Sequence, residues 1–275
     1  ALQRANALLQ DEINERKAVE EELRSHREHL EATVQARTAE LRRSNRELEQ
    51  FAYIASHDLQ EPLRKIQAFG DRLQNIAAET MDDRSREYIA RMINASERMQ
   101  NLIGDLLSYS RISTRGRPFG PVDLNIVTRG VLSDLEDMIR RNHAQVEVSE
   151  LPVVEADETQ MRQLLQNLIN NGIKFHRDGE TPVVRISAAR SGSMWEVSVR
   201  DNGIGFDAKY YDRVFVIFQR LHGRMEYEGT GIGLALCRRI AERHNGSITV
   251  ESKPGEGTTF VVSLPVKQPP TRDAG

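Results

Sequence analysis

Residues 1–50 contain neither proline nor glycine and are rich in Ala, Glu, Leu, Arg and Gln. With both strong helix breakers missing and good helix formers in their place, this stretch is predicted to be one long helix. Its apolar residues fall on a heptad. One core position runs through Leu2, Leu9, Arg16, Leu23, Leu30, Arg37, Ser44 and Phe51, the other through Asn6, Ile13, Glu20, Arg27, Val34, Leu41 and Leu48. Nine of these fifteen are apolar, a narrow stripe suited to a coiled coil. Ile and Val at one position and Leu at the other favour two parallel strands, and Asn6 is the kind of polar insert that fixes register. Arg16, Glu20 and Arg27 interrupt the middle of the seam.

The helical pattern continues through residues 45–75, and NIAAETMDD then reads as a turn. A second helix is expected over 84–112, with Ile89, Met92, Ile93, Met99, Leu102, Ile103, Leu106 and Leu107 on one side. Two antiparallel helices cannot cover a core alone; a second copy would complete a four-helix bundle. STRGRPFGP, residues 113–121, reads as a linker. Beyond it, helices are expected over 123–142 and 157–175, each starting at an N-capping Asp. TPVVRISAAR, MWEVSVRD, GSITVESK and GTTFVVSLPV read as strands. The resulting fold class is α+β: a long coiled-coil helix runs into a dimeric four-helix bundle, followed by an α/β sandwich.

Composition excludes several functions. A net charge of −3 gives no basic excess for nucleic acid. A single cysteine, Cys237, rules out a disulfide within the chain and suits a reduced, cytoplasmic setting. No apolar run of roughly 18 residues marks a membrane span. The chain begins at Ala1 in mid-pattern and reads as a fragment whose upstream part is missing.

FAYIASHDLQEPLRKI, residues 51–66, is unusual for a helix. On a wheel with His57 at zero, Phe51, Ala55, Leu59 and Leu63 fall at about 120°, 160°, 200° and 240°, so the apolar face lies opposite the histidine. Pro62 removes the hydrogen bond to the Asp58 carbonyl and tends to kink the helix, at ~3 kcal/mol. A lone exposed histidine is ordinarily just solvated. Here the neighbouring Asp58 and the costly proline point to chemistry: His57 Nε2 as nucleophile, with Asp58 holding Nδ1–H.

Three further stretches suit a nucleotide. In QMRQLLQNLINNGIKF, Gln163, Asn167, Asn171 and Lys174 form a polar stripe, with amide oxygens suited to Mg²⁺ and a lysine suited to phosphate. DNGIGF places Asp201 to accept from an exocyclic amine, with Gly203 and Gly205 allowing close backbone approach. EGTGIGLAL offers Gly229, Gly231 and Gly233 as a turn opening a helix, a phosphate-binding arrangement. Each is weak alone; their order and spacing are specific.

These stretches resemble the phospho-acceptor box and the N, G1 and G2 boxes of sensor histidine kinases, in the branch whose box reads His-Asp-Leu-Gln-Glu-Pro-Leu; VFVIFQRLHGR resembles the F box. The resemblance covers nearly all of residues 45–265. It implies ATP as donor, His57 as acceptor, an aspartate of a response regulator as the next recipient, and an upstream sensor domain, absent from this chain, that could carry a membrane anchor. It implies that Asn171 binds Mg²⁺, with Asn167 and Lys174 near the phosphates. It puts Asp201 on the adenine amine and Gly203 and Gly205 around the base. Residues 206–229 would form a mobile lid closed by the turn that holds Gly229, Thr230, Gly231, Gly233 and Leu234, and Arg220 would approach the γ-phosphate. The implied organisation is a signalling coiled coil (1–50), a dimerisation and phosphotransfer hairpin (45–113), a linker (114–121), a catalytic ATP-binding domain (122–267) and a disordered tail (268–275).

Two positions depart from the family pattern. Gly172 stands where Ala is common and should loosen its helix by roughly 1 kcal/mol. Glu61 stands where Thr or Asn commonly supports hydrolysis of the phosphorylated regulator, so weak or absent phosphatase activity is expected. The remaining histidines, Cys237 and Trp195 read as packing or surface residues. Two other readings compete: an ATPase of the gyrase and Hsp90 superfamily, disfavoured because Gln163 and Gln166 supply no water-activating glutamate, and a nucleotide-binding scaffold without catalysis.

Overall fold

The computed structural model describes residues 2–76, 82–112, 116–221 and 229–268; at 2–13, 15, 18, 41–42, 45–55 and 57 only the backbone course is described. The chain separates into two compact units, 1–52 and 53–275. The first is the beginning of helix α1 (Leu2–Ile76). Its described seam residues Leu23, Leu30 and Val34 are exposed in the single chain. Seam positions 2, 6, 9, 13, 41, 48 and 51 lie outside the described side chains.

In the second unit the rest of α1 pairs with α2 (Asp83–Arg111), which Asp82 caps by accepting from Ser85 N. Helix α1 runs on through Pro62 rather than ending there. The two helices meet through Ser56, Leu63 and Gly70, one heptad apart, against Ile93, Ser96 and Ile103. Ser96 Oγ donates to the Leu63 carbonyl at 2.9 Å, and a Cβ on Gly70 would strike Ile93. The apolar face expected opposite His57 is thus split. Leu63 faces α2, whereas Leu59 is 55% exposed, with Ile66, Phe69, Leu73, Ile76, Tyr88, Met92 and Met99 also exposed. Single-chain burial needs only the narrow heptad strip; the rest of the apolar surface is left over. The turn expected near residues 76–83 lies largely outside the described residues.

After α2 come β1 (Gly120–Asp123), α3 (Leu124–Asp134), α4 (Glu136–Arg141), β2 (Gln145–Val148), β3 (Val153–Ala156), α5 (Glu158–Lys174), β4 (Val183–Ser191), β5 (Met194–Asp201), α6 (Gly233–Arg243), β6 (Ser247–Lys253) and β7 (Gly257–Pro265). Among the described residues, five strands form a mixed sheet in the order β2-β4-β5-β7-β6, parallel only at β2–β4. A separate antiparallel pair joins β1 to β3. The four strands read from sequence are present, within a residue or two of their expected ends. β1, β2 and β3 were not expected: each has four residues, too short for a period-2 pattern to stand out.

The helix expected over 123–142 is broken. Leu135 leaves α3 with φ −94° and ψ 5° and buries its side chain, and α4 restarts with Glu136 and Asp137 in its first turn. Helices α3, α5 and α6 cover one face of the sheet through Val131, Leu165, Leu168, Ile169, Ile173, Leu236 and Ile240, against Val184, Ile186, Val197, Val199 and Val262. Burial there is nearly complete, so each large side chain contributes roughly 1.5–3 kcal/mol. Cys237 is part of this core, and burial pushes its thiol pKa up, which suits a packing role. Among the described residues no helix is long and apolar enough to cross a membrane.

Candidate functional site

A cavity of about 510 Å³ opens between the C-terminal half of α5, the loop after β5, the segment before α6, and α2. Asn167, Asn171, Lys174, Asp201, Gly205, Arg220, Gly229, Thr230, Gly231, Gly233 and Leu234 all line it, so the three stretches singled out in the sequence converge. Helix periodicity explains the first group: 167, 171 and 174 are one turn apart, on the face opposite the buried Leu165, Leu168 and Ile169. Asn170 also lines the cavity, whereas Gln163 does not.

Gly203 does not line the cavity either. Its N–H donates to Asp201 Oδ1 at 2.8 Å, and a Cβ there would lie 2.2 Å from the Phe175 carbonyl oxygen. It acts behind the wall, holding the aspartate. Thr258 N–H donates to the same Oδ1 at 3.0 Å. Burial raises the Asp201 pKa to about 6 against these two backbone donors. Ile204, Phe206, Val214 and Phe260 supply apolar wall, a setting for a flat base with a polar edge.

The opposite end is cationic. Helix α6 begins at Gly233 with no side chain capping its N-terminus, leaving backbone N–H groups for an anion. A Cβ on Gly233 would lie 3.0 Å from Asn167 Oδ1, and one on Gly229 would lie 2.8 Å from Lys174 Nζ; side chains at either glycine would fill this cradle. Gly229 and Gly231 have φ of 146° and 76°, which glycine adopts readily. Arg220 Nη1 donates to the Gly229 carbonyl at 2.8 Å, and Phe218 N–H to the Gly231 carbonyl at 3.0 Å. The expected lid is described up to 221, with short helical turns at Ala208–Tyr210 and Arg213–Phe215; residues 222–228, His222 among them, lie outside the described residues.

Sequence reasoning missed the fourth wall. Gln100, Asn101, Gly104 and Asp105 of α2 line the cavity, and Thr230 Oγ1 donates to Asp105 Oδ2 at 2.5 Å. Burial raises the Asp105 pKa, opposed by that hydrogen bond. No local pattern marks these residues; only tertiary docking brings them in. Gln100 also lines a second cavity of about 280 Å³ with Gln60, Glu61 and Arg64, so it stands between the large cavity and the turn of α1 that follows His57. Glu61 pairs with Lys65 at 2.8 Å. Asp58 is exposed, and the His57 side chain lies outside the described residues.

The donor set fits a nucleotide and a hard cation: neutral amide oxygens, a lysine, an open helix N-terminus and a carboxylate in an apolar slot.

Comparison with known proteins agrees with this geometry. Residues 47–115 match the His Kinase A (phospho-acceptor) domain and residues 156–268 the histidine kinase-, DNA gyrase B-, and HSP90-like ATPase family. The Phytochrome-like protein Cph1 of Synechocystis sp. is 44% identical over 226 residues, 82% of this chain and 30% of that protein. The chain spans about 30% of the length of the curated relatives it matches first. Full-length ShkA in complex with AMPPNP shares the fold, with a TM-score of 0.61 and 24% identity over 82% of this chain and 48% of that one. Histidine kinase ThkA, solved in complex with response regulator protein TrrA, has a TM-score of 0.55 and 25% identity over 79% of this chain and 61% of that one. With a phospho-acceptor hairpin and an ATP-binding domain each matched in its own right, the chain belongs to the sensor histidine kinases, a family of protein-histidine kinases.

Proposed function

We propose that the chain binds ATP in the large cavity, phosphorylates His57, and passes the phosphoryl group to an aspartate of a response regulator. The observation that carries this reading is a single one. One compact unit, 53–275, holds both the α1 turn bearing His57 and a cavity whose walls include α2 and the conjunction of Asn171, Asp201 and the glycine turn.

In this reading Asp201 accepts from the exocyclic amine of adenine, and Lys174, Arg220 and the α6 N-terminus hold the phosphates. Asn171, with Asn167 beside it, would hold Mg²⁺, which when bound neutralises phosphate charge. His57 Nε2 forms the new N–P bond as the bond to the ADP oxygen breaks, and ADP leaves with that electron pair. Asp58 holds the Nδ1 proton and steadies the imidazolium that develops. Catalysis rests mainly on positioning and charge neutralisation.

The chain is further proposed to work as a homodimer. The exposed Leu59, Phe69, Leu73, Ile76, Met92 and Met99 are the surface a second hairpin would cover, and Leu23, Leu30 and Val34 the stripe a second coiled-coil strand would cover. The reaction is assigned to the cytoplasm, where ATP is supplied.

Labelled ATP tests the central claim. A kinase gives an acid-labile phosphoprotein, an ATPase free phosphate, and a scaffold neither. His57→Ala should abolish labelling while ATP binding persists; undiminished labelling of that variant would move the acceptor elsewhere.

A further inference from the structure

The connection between α2 and β1 is gripped on both sides of residues 113–115, which themselves lie outside the described residues. On the near side, Ile112 is buried in the core of the ATP-binding domain, and Gln160 Nε2 donates to its carbonyl at 3.1 Å. On the far side, the Arg117 N–H donates to Asp157 Oδ2 at 2.6 Å and its carbonyl accepts from Arg243 Nη2 at 2.8 Å. Arg243 joins the two grips. Its Nη1 pairs with Asp157 Oδ2 at 3.1 Å and donates to Gln160 Oε1 at 2.7 Å.

This cluster is built, not incidental. Asp157 is only 2% exposed at its side chain and also caps α5 through Thr159 and Gln160 N–H. The guanidinium stacks on Phe119 at 4.9 Å, and Phe119 packs on His244 at 4.6 Å. His244 is fully buried; its Nε2 accepts from the Asp157 N–H at 3.0 Å and its Nδ1 lies 2.8 Å from the Ile240 carbonyl oxygen. Gly116 lets the guanidinium lie on the connecting backbone, since a Cβ there would fall 2.0 Å from Arg243 Cζ.

None of these residues lines the nucleotide cavity. They sit at the far ends of the two helices whose near ends build it. Asp157 precedes α5, which reaches the cavity at Lys174; Arg243 ends α6, which starts there at Gly233. At ~1.5 Å per residue the clamp and the cavity are separated by the lengths of these helices. Fixing the far ends to the root of α2 fixes how the cavity meets the α2 wall at Gln100–Asp105.

Building on the kinase reading, we infer that Arg243 is a positioning residue for phosphoryl transfer. With Asp157 and Gln160 it clamps the α2–β1 connection and holds the nucleotide cavity against α2, beside the α1 turn that follows His57. Its loss lets the ATP-binding domain swing on the connection, carrying the nucleotide contacts of α5, the loop after β5 and the turn before α6 with it. Small misplacement of reacting groups is costly to rate.

The test uses the whole chain and compares Arg243→Ala, Arg243→Lys and Gly116→Ala with the wild type. Gly116→Ala is the safeguard against misfolding: it displaces the guanidinium from the connection and leaves the domain's own residues intact. The expected result is autophosphorylation at saturating Mg·ATP slowed roughly ten- to hundredfold in Arg243→Ala and Gly116→Ala, with Mg·ATP bound no more weakly than by the wild type in calorimetry. Arg243→Lys should recover part of the rate, because it restores a cation beside Asp157 but cannot reach Gln160 and the Arg117 carbonyl together. Hydrogen exchange at 116–119 should accelerate in both slowed variants, and this readout does not depend on activity. An unchanged or faster rate, or affinity and rate falling together, would overturn the positioning role. A wild type that binds ATP but yields no phosphohistidine would instead sink the kinase reading.

Discussion

Thr230, in the glycine turn before α6, donates its hydroxyl to the carboxylate of Asp105 on α2 at 2.5 Å. Phosphates held by Lys174 and the α6 N-terminus would share the cavity with that carboxylate, so it repels the ligand the rest of the site attracts. Asp105→Asn removes the charge and keeps an oxygen that can accept from Thr230. The dissociation constant for Mg·ATP should tighten by about three- to tenfold, the scale of one partly screened charge interaction, while adenosine, which has no phosphates, should bind as before. Weaker Mg·ATP binding in calorimetry would show that the carboxylate supports the nucleotide instead.

Asp201 gives the cavity a pH dependence. Its pKa lies near 6 because burial outweighs the Gly203 and Thr258 donors. An adenine amine adds a donor that favours the ionised form and lowers the pKa in the complex. Affinity therefore rises as pH climbs toward 6 and levels off above it, and protonation on the acid side weakens binding. Adenosine titrations between about pH 5 and 8 avoid phosphate ionisation and check this. Asp201→Asn should bind more weakly and show no inflection near 6.

Gly172 makes a different kind of prediction. Its sequence context suggests only a loosened helix, and replacement by alanine would gain roughly 1 kcal/mol of helix propensity. In the fold, however, a Cβ at 172 would lie 2.8 Å from Val184 Cγ2 and 3.3 Å from Asp201 Cβ. Val184 is fully buried and β-branched, so it gives way poorly. Overpacking costs about 1–3 kcal/mol, and Gly172→Ala should therefore be neutral to about 2 kcal/mol destabilising. Urea unfolding measures it; a clear gain in stability would show that the β4 side relaxes freely.

The parts of this site that were legible in the sequence are those in which one local element carries the signal. The amide-rich face of α5 and the glycine turn before α6 each follow from periodicity or turn chemistry. The DNGIGF spacing suggests Gly203 as wall, whereas it packs behind it, because spacing along a loop does not reveal which backbone a glycine meets. Asp105, Gln100 and Arg243 carry no local mark at all, and Asp157 reads only as a helix cap; they matter here because α2 docks on the ATP-binding domain. The same holds for Leu59. A wheel assigns it to the apolar face, but only the antiparallel packing of α2 decides that Leu63 is covered within the chain and Leu59 is not.

That uncovered surface supplies the last prediction. Phe69, Leu73 and Ile76 of α1 and Met92 and Met99 of α2 are all exposed in the single chain, whereas Leu63, Ile93 and Ile103 are covered. Burying large apolar side chains is worth roughly 1.5–3 kcal/mol each, and a symmetric pairing of hairpins counts every one of them twice. Placing a carboxylate in that seam reverses the sign, since an ionised group cannot be buried there unpaired. The double variant Phe69→Glu, Leu73→Glu leaves the contacts within the hairpin in place, so each chain should keep its helical content and its ATP-binding domain. Sedimentation should show a dimer for the wild type and a shift of at least about a hundredfold in dissociation constant toward monomer for the variant. If the variant sediments as the wild type does, the stripe is not the hairpin interface and the second copy, if any, is held by the residues 1–52 helix alone.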